Sequence, residues 1–464
     1  MSWSLNEVVQ AVNGVLIGDN LGEADVVLDS ISSDTRTLEG GALYVALKGP
    51  QFDGHDFIDA AVREGAVALL VSEPVTSAVP AILVEDTLIA FGQLAAWHRQ
   101  NMSLKGVVGI TGSNGKTTTK EMIAHLLQQQ ASVLATHGNL NNEVGVPKTL
   151  LQLEEEHDYA VVEMGANHLN EIGYLTQLVK PDVAVITLAA NAHLEGFGSL
   201  EGVIEAKGQI LDGVRAGGTA ILNMDSPGFD EWQQYAKNLG LNIIRFGQHP
   251  DAQVRVSQIT QTIKGIQFAL EVTYQQTHFI ESVEMPILGS HNAMNAAAAV
   301  AVCLALGQTW SQIQPGLVEF NGVTGRGQTH VLPQGVLIDD SYNANPASMR
   351  VAIQMLLQCP GEGLVCLGAM AELGEKSTVH HLDLAEFAKS VGVRNLFLTG
   401  QLTQPMAAKF GEGARWFETP EVMAEAAWQM IADNKIQNVL IKGSRSAKME
   451  RVGQAILAQL ASSH

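Results

Sequence analysis

Cations are scarce in this chain: 27 Lys and Arg stand against 48 Asp and Glu, for a formal net charge of −21. A nucleic-acid partner needs a basic stripe to neutralise phosphates, so this balance argues against one. It does not argue against a small anionic ligand, which local backbone dipoles can meet. Cysteine is scarcer still. Cys303, Cys359 and Cys366 show no CxxC spacing and do not look like a disulfide framework, which fits a reducing compartment. Long apolar runs are missing as well. The longest, Ala296–Leu306, is alanine-rich and too short to span a bilayer. The stretch MSWSLNEVVQ has neither a basic n-region nor an apolar h-region, so no signal peptide is expected. Together these absences lead to the expectation of a cytoplasmic protein without membrane insertion.

What is present is an ordinary globular composition, 46% apolar and 16% charged. A length of 464 residues suits about three domains at roughly 150 residues each. Residues 1–85 mix short strand-like runs (VVLDSIS, ALYVALK, VALLVS) with glycine turns, and SEPVTSAVPAILVEDT, with two prolines, reads as an edge strand plus linker. From about residue 86, short β-branched runs alternate with helical ones: VVGIT, SVLAT, YAVVE, VAVIT and TAILN. Such alternation implies βαβ units and a parallel sheet with helices on both faces. A second alternating set follows residue 320: VLIDD, LVCLG, LFLTG and NVLIK. The expected fold is α/β in three parts. These are a small N-terminal α/β domain (1–85), a central parallel-sheet P-loop ATPase-like domain (86–319) and a C-terminal Rossmann-like domain (320–464).

The densest motif is VVGITGSNGKTTTKEM, residues 107–122. A β-branched strand leads into Gly112, Ser113, Asn114 and Gly115, and Lys116, Thr117 and Thr118 open a helix with apolar positions at Met122, Ile123, Leu126 and Leu127. Glycines let backbone N–H groups approach phosphate oxygens, and the helix N-terminus adds a positive dipole. Lys116 is placed to reach the β/γ-phosphates, and Thr117 to offer a hydroxyl to Mg²⁺. Ile110 stands where the usual loop has its first glycine, so the loop is a shortened one.

Three further residues suit a hard cation. Glu163 ends YAVVE, His193 follows VAVIT, and Lys207 lies in the helical EGVIEAKGQIL. Taken singly, each also has a plain reading: a solvated strand-end carboxylate, a structural histidine and a surface lysine.

TGSNGKTTTKEM, THGNLNNEVGVPKTLL, VVEMGANHLNEI, AHLEGFGSLEGVIEAKGQI, GSHNAMNAAAA, DDSYNANPASM, ELGEKS and KGSRSAKME follow one another along the chain. In that order they resemble the Mur ligase family of peptidoglycan synthesis. Within it, DDSYNANP and ELG point to the member that joins D-alanyl-D-alanine to UDP-N-acetylmuramoyl-tripeptide. The resemblance implies ATP and two Mg²⁺ as cofactors, the first metal on Thr117 and Glu163 and the second near His193. It implies that Lys207 is N-carboxylated. Asn292 and Asn295, beside His291, fall in the block where an asparagine meets adenine, and Arg326 and Asp340 match groups that grip the nucleotide. Asn139 and Asn142, with Asn343, Asn345, Ser348, Lys442 and Arg445, are implied on the substrate side. Ser33, Asp34, Thr35 and Arg36, with Gln51–His55 beside them, match the UDP-sugar site. Two positions depart from the family pattern: Ala369 replaces an aspartate before ELG, and Leu188 an asparagine after Thr187.

The reaction so implied has two steps. The γ-phosphoryl group of ATP passes to the peptide carboxylate, and the dipeptide amine then displaces phosphate. Joining two anions leaves positioning and charge neutralisation to carry the barrier. Another Mur ligase, a folylpolyglutamate synthase-like enzyme, a nucleotide-dependent switch and an amino-acid adenylating enzyme are the competing readings. No NKxD-type guanine motif supports a GTPase. A monomer is expected.

Overall fold

The computed structural model describes residues 2–18, 26–49, 52–190, 194–262 and 264–462. His193 and Gln51 lie outside the described residues. Three main sheets follow one another along the chain.

The first has five strands in the order Val15–Ile17, Ala81–Leu83, Ala66–Val71, Ala42–Val45, Ser30–Ser32. All neighbours are parallel except Val15–Ile17 against Ala81–Leu83. Ala81–Leu83 is therefore an interior strand, not the edge expected from its prolines. Pro80 precedes the strand, where its missing N–H costs no ladder bond, while its carbonyl accepts from Leu69 N at 3.0 Å. Asp86 caps the next helix, Thr87–Asn101, accepting from Leu88 and Ile89 N–H at 2.7 and 3.0 Å. That helix is shared: Ala90, Phe91 and Leu94 pack into the N-terminal core, and Ala95 into the central one.

The central sheet has nine strands, with Gly106–Thr111 deep inside it between Tyr159–Glu163 and Val183–Ile186. Every residue of Gly106–Thr111 is buried, as a parallel strand covered on both faces must be. Thr219–Asn223 and Asn242–Gly247 extend the parallel ladder. Val254–Thr262, Gly265–Tyr274 and Thr277–Met285 then add an antiparallel meander, which the expected α/β alternation lacks. Helices Lys116–Gln128 and His291–Ala305 cover one face, and Glu171–Val179 and Phe229–Asn238 the other. The alanine run thus forms a buried helix. Among the described residues no helix is long and apolar enough to cross a membrane.

The third sheet has six strands in the order Gln328–Leu332, Gly335–Asp340, Asn438–Lys442, Gly363–Gly368, Asn395–Thr399, Ala414–Phe417. Only the first pairing is antiparallel. Helices pack on both faces. The carboxyl ends of its three central strands, after Asp340, Lys442 and Gly368, lie side by side. All three cysteines are buried and free, and burial pushes the Cys303 thiol up to about 12.

Candidate active site

The chain between Thr111 and Lys116 needs both of its glycines. Gly112 and Gly115 sit at φ +149° and +81°. A Cβ on Gly112 would lie 2.0 Å from Thr187 Oγ1, and one on Gly115 would lie 2.7 Å from Asn295 Oδ1. The loop is strapped to the segment after Val183–Ile186. Ser113 N donates to Leu188 O at 2.7 Å, Ser113 Oγ to Ala190 O at 3.1 Å, and Thr187 Oγ1 to Asn114 O at 2.6 Å. At Leu188 this contact comes from the backbone, which any residue supplies. Asn223 Nδ2 donates to Thr187 O at 2.7 Å and holds the strap from behind. The Lys116 ammonium folds back on Gly112 O at 2.6 Å, and burial lowers its pKa against the pull of Glu163. No side chain caps the helix that Lys116 opens, so its first amides are left to a ligand.

Beside the lysine, Thr117 Oγ1 donates to Glu163 Oε2 at 2.6 Å. Both residues are buried, and both line the cleft described below. Asn141 Nδ2 donates to the other carboxylate oxygen at 2.8 Å. Asn141 lies between the two asparagines expected at the site, yet it touches Glu163 and they do not. Glu163 N donates to Thr136 Oγ1 at 2.9 Å, and the fully buried Lys120 ammonium donates to Thr136 O and, at 2.5 Å, to Glu121. A hydroxyl and a carboxylate oxygen this close form a hard-oxygen pair that fits Mg²⁺. Among the described residues no group of three His, Cys, Asp or Glu converges.

Lys207 is 2% exposed on the helix Leu200–Gly208, its Nζ 5.3 Å from the Phe197 ring centroid. Burial, then the nearby Lys116, pushes its pKa down to about 7, and Glu171 and Glu163 oppose the shift. It is a buried amine close to the phosphate loop, not a surface charge.

A cleft of about 1430 Å³ runs from the phosphate loop to the third sheet. Ser113–Thr118, Glu163, Asn295, Asn139 and Asn142 line one wall, and Arg326, Asp340, Asn343, Asn345, Ser348, Lys442 and Arg445 the other. Several expected ligands are already engaged. Asn295 Nδ2 donates to Asn292 Oδ1 at 2.8 Å, and Asn292 Nδ2 to Leu288 O at 2.7 Å. Arg326 lies over the Tyr342 ring, 4.0 Å from its centroid. The Lys442 ammonium, 3% exposed, donates to Asp340 Oδ2 at 2.6 Å and to Asn343 O at 2.9 Å. Arg445 pairs with Glu450 at 3.1 Å. Asn345 caps Pro346–Leu357, and its capping box with Ser348 occupies both side chains. Asn142 Oδ1 accepts from Gly145 N at 2.9 Å at the start of Gly145–Leu150. Asn343 and Asn139 are exposed at the cleft.

Ser33, Asp34, Thr35 and Arg36 are not among the residues lining this cleft. They form a turn after Ser30–Ser32, where Arg36 grips Asp34 with Nε and Nη2 at 2.9 and 2.6 Å. That pairing holds the Asp34 pKa down at about 2, with a smaller pull from Lys148 of the central domain. Tyr44 is buried beneath the turn, its hydroxyl on Gly54 O at 3.0 Å. Burial, with Asp34 and Asp53 nearby, pushes its pKa up to about 12. His55 bridges Asp53 Oδ1 at 2.6 Å and Ser72 N at 3.0 Å.

Comparison with known proteins agrees with this arrangement. The pattern described as the Mur ligase middle domain matches residues 110–303, the Mur ligase glutamate ligase domain 325–445, and the Mur ligase family catalytic domain 28–98. The UDP-N-acetylmuramoyl-tripeptide–D-alanyl-D-alanine ligase of Escherichia coli K12 is 40% identical over 458 residues, 98% of either chain. The crystal structure of MurF from Acinetobacter baumannii superposes with a TM-score of 0.90 at 34% identity, covering 99% of both chains. MurF ligase from Thermotoga maritima in complex with ADP gives 0.81 at 28% identity, covering 94% of this chain and 98% of that one. With matches of this extent spanning the phosphate loop and all three sheets, the chain belongs to the Mur ligase family.

Proposed function

We propose that the protein is an ATP-dependent, ADP-forming ligase that joins D-alanyl-D-alanine to UDP-N-acetylmuramoyl-tripeptide in cytoplasmic peptidoglycan precursor synthesis. The observation that carries this reading is the end-to-end likeness to the Escherichia coli ligase, 98% of either chain, together with a cleft between a phosphate loop and the third sheet. The division at 85/86 and 319/320 then assigns UDP to the first part, ATP to the second and the dipeptide to the third.

Ser33, Asp34, Thr35 and Arg36 hold the UDP end. Asn139 and Asn142 stand where the peptide crosses the cleft rim. Gly112 to Thr118 cradle the triphosphate, with Asn292 and Asn295 on the adenine side and Arg326 and Asp340 closing from the third part. The peptide carboxylate attacks the γ-phosphorus, the bond to the β-γ bridging oxygen breaks, and ADP leaves. The dipeptide amine then attacks the acyl carbon, loses a proton, and expels phosphate. Lys116 and the loop amides neutralise the charge that gathers in the first step. Two bound Mg²⁺ supply further positive field. Thr117 and Glu163 hold one, and His193 with an N-carboxylated Lys207 the other. CO₂ adds only to a neutral amine, and a Lys207 pKa near 7 makes that form abundant. Asn343, Asn345, Ser348, Lys442 and Arg445 shape the dipeptide end. The enzyme acts as a monomer.

Phosphate release against a panel of UDP-muramoyl peptides, with and without D-alanyl-D-alanine, tests the reading. Turnover that needs both substrates and yields ADP supports it. Hydrolysis without either indicates a switch, and AMP with pyrophosphate indicates adenylation.

A further inference from the structure

Loops that leave neighbouring parallel strands are separate stretches of chain, and a pocket built from them keeps its shape only if something ties them together. Three such loops reach the cleft from the third sheet, after Asp340, Gly368 and Lys442. Two glycines let them approach. A Cβ on Gly368 would lie 2.6 Å from Ala447 Cβ, and one on Gly443 would lie 2.6 Å from Met449 Cγ and 3.1 Å from Gly368 Cα. The close packing brings Ser444, 2% exposed, between the other two loops. Its Oγ accepts from Ala371 N at 2.7 Å and donates to Ala344 O at 3.3 Å. Its backbone N–H donates to Ala369 O at 3.0 Å. One hydroxyl thus spans two loops while its own backbone stitches the third to them.

The segments it ties are the ones that face the cleft. Asn343 and Ala344 lie on one side, Ala371 and Glu372 on the other. Glu372 holds φ +60°, a left-handed conformation that a side chain seldom adopts unless its neighbours enforce it. His381 gives a second anchor, accepting from Met370 N at 2.9 Å while its other ring nitrogen bonds Ser377 O at 2.7 Å. Without the Ser444 hydroxyl, the N–H of the exposed Ala371 would turn to water, and the gap between the two sides would be free to change.

We propose that Ser444 is a positioning residue for the incoming dipeptide: it sets the spacing between the Asn343–Ala344 and Ala371–Glu372 walls that receive a short zwitterion with small side chains. The inference rests on the reading that the third part holds D-alanyl-D-alanine.

Ser444→Ala removes the hydroxyl and little volume, and Ser444→Thr restores it. Two readouts are paired on the full-length enzyme: amide hydrogen exchange at Ala371, and KM for each of the three substrates. In the Ala variant, exchange at Ala371 accelerates and the dipeptide KM rises about tenfold, the worth of one hydrogen bond. KM for ATP and for the UDP-peptide stays within about twofold, and the Thr variant returns both readouts toward wild type. Unchanged exchange overturns the clamp. An equal rise in all three KM values overturns the positioning role. Faster exchange with an unchanged dipeptide KM also overturns it, and Asn343→Ala then tells the two readings apart. If Asn343→Ala raises the dipeptide KM, the placement of the dipeptide stands without Ser444. If it does not, the placement fails too.

Discussion

Asn345 Nδ2 donates to Asn114 Oδ1 at 3.0 Å, joining the third part of the chain to the tip of the phosphate loop across 231 positions. The same side chain caps Pro346–Leu357 through its oxygen. One amide therefore starts a helix and reports on the loop that cradles the nucleotide.

These two roles separate by substitution. Ser caps a helix about as well as Asn but is too short to reach Asn114. Asn345→Ser should keep stability within a few tenths of a kcal/mol, whereas Asn345→Ala should lose about 1 kcal/mol. Both should open the cleft in small-angle scattering of the ligand-free protein. Equal stability loss in the two variants would show that the cap is not formed.

Lys116→Ala should lower kcat by ~10²-fold or more, the scale of one lost charge-stabilising donor. The lysine lies on a glycine loop at the cleft, outside every apolar core, so the melting temperature should stay near wild type. Near-normal turnover would remove the loop from the mechanism.

Lys207→Arg keeps a positive charge but cannot accept CO₂, so it should abolish ligation. Carbon-13 NMR of the wild-type protein in labelled bicarbonate should show a carbamate signal that the Arg variant lacks. A spectrum without that signal, recorded with nucleotide and Mg²⁺ present, would leave Lys207 as a plain buried amine.

His98 supplies the pH dependence. Trp3 Nε1 donates to its Nδ1 at 3.2 Å, and its Nε2 bonds Leu153 O at 2.9 Å, which together need the neutral ring. Burial depresses its pKa, so the unfolded chain binds the extra proton first as the medium acidifies. The resulting stability is present in full above the ordinary histidine range and falls as pH drops below about 6.5. Melting temperature measured from pH 7.5 down to 5.5 should therefore decline, with a shallower slope in His98→Gln. Identical slopes would place the acid sensitivity elsewhere.

Much of the fold was legible because its parallel strands are buried on both faces and read as continuous apolar runs. YAVVE, VAVIT and TAILN are wholly buried strands. The meander 254–285 escaped because its strands alternate exposed and buried positions and carry Gln, Thr and Glu on the outer face. Ala81–Leu83 was misplaced because nothing local tells which strands will flank a short segment. At the site, TGSNGKTT was readable because all its chemistry is contiguous. Asn141 and Ser444 were not, since what singles them out is a partner 22 or 73 positions away. An asparagine that caps a helix, as Asn345 does, looks in sequence like one that faces a substrate.

The seat of the strand Gly106–Thr111 has a consequence for how the molecule is made. Its two ladder neighbours, Tyr159–Glu163 and Val183–Ile186, both follow it in the chain. On the ribosome this strand emerges before either partner and must wait for residue 186 to complete its pairing. The helix Lys116–Gln128 packs on the strand, and His291–Ala305, which lies beside that helix and completes the face, arrives later still. During that interval VVGIT is an apolar β-branched segment with unpaired edges, the kind that associates between chains. Nascent-chain pulldowns at increasing lengths should find chaperone occupancy highest between the synthesis of residue 111 and that of residue 186.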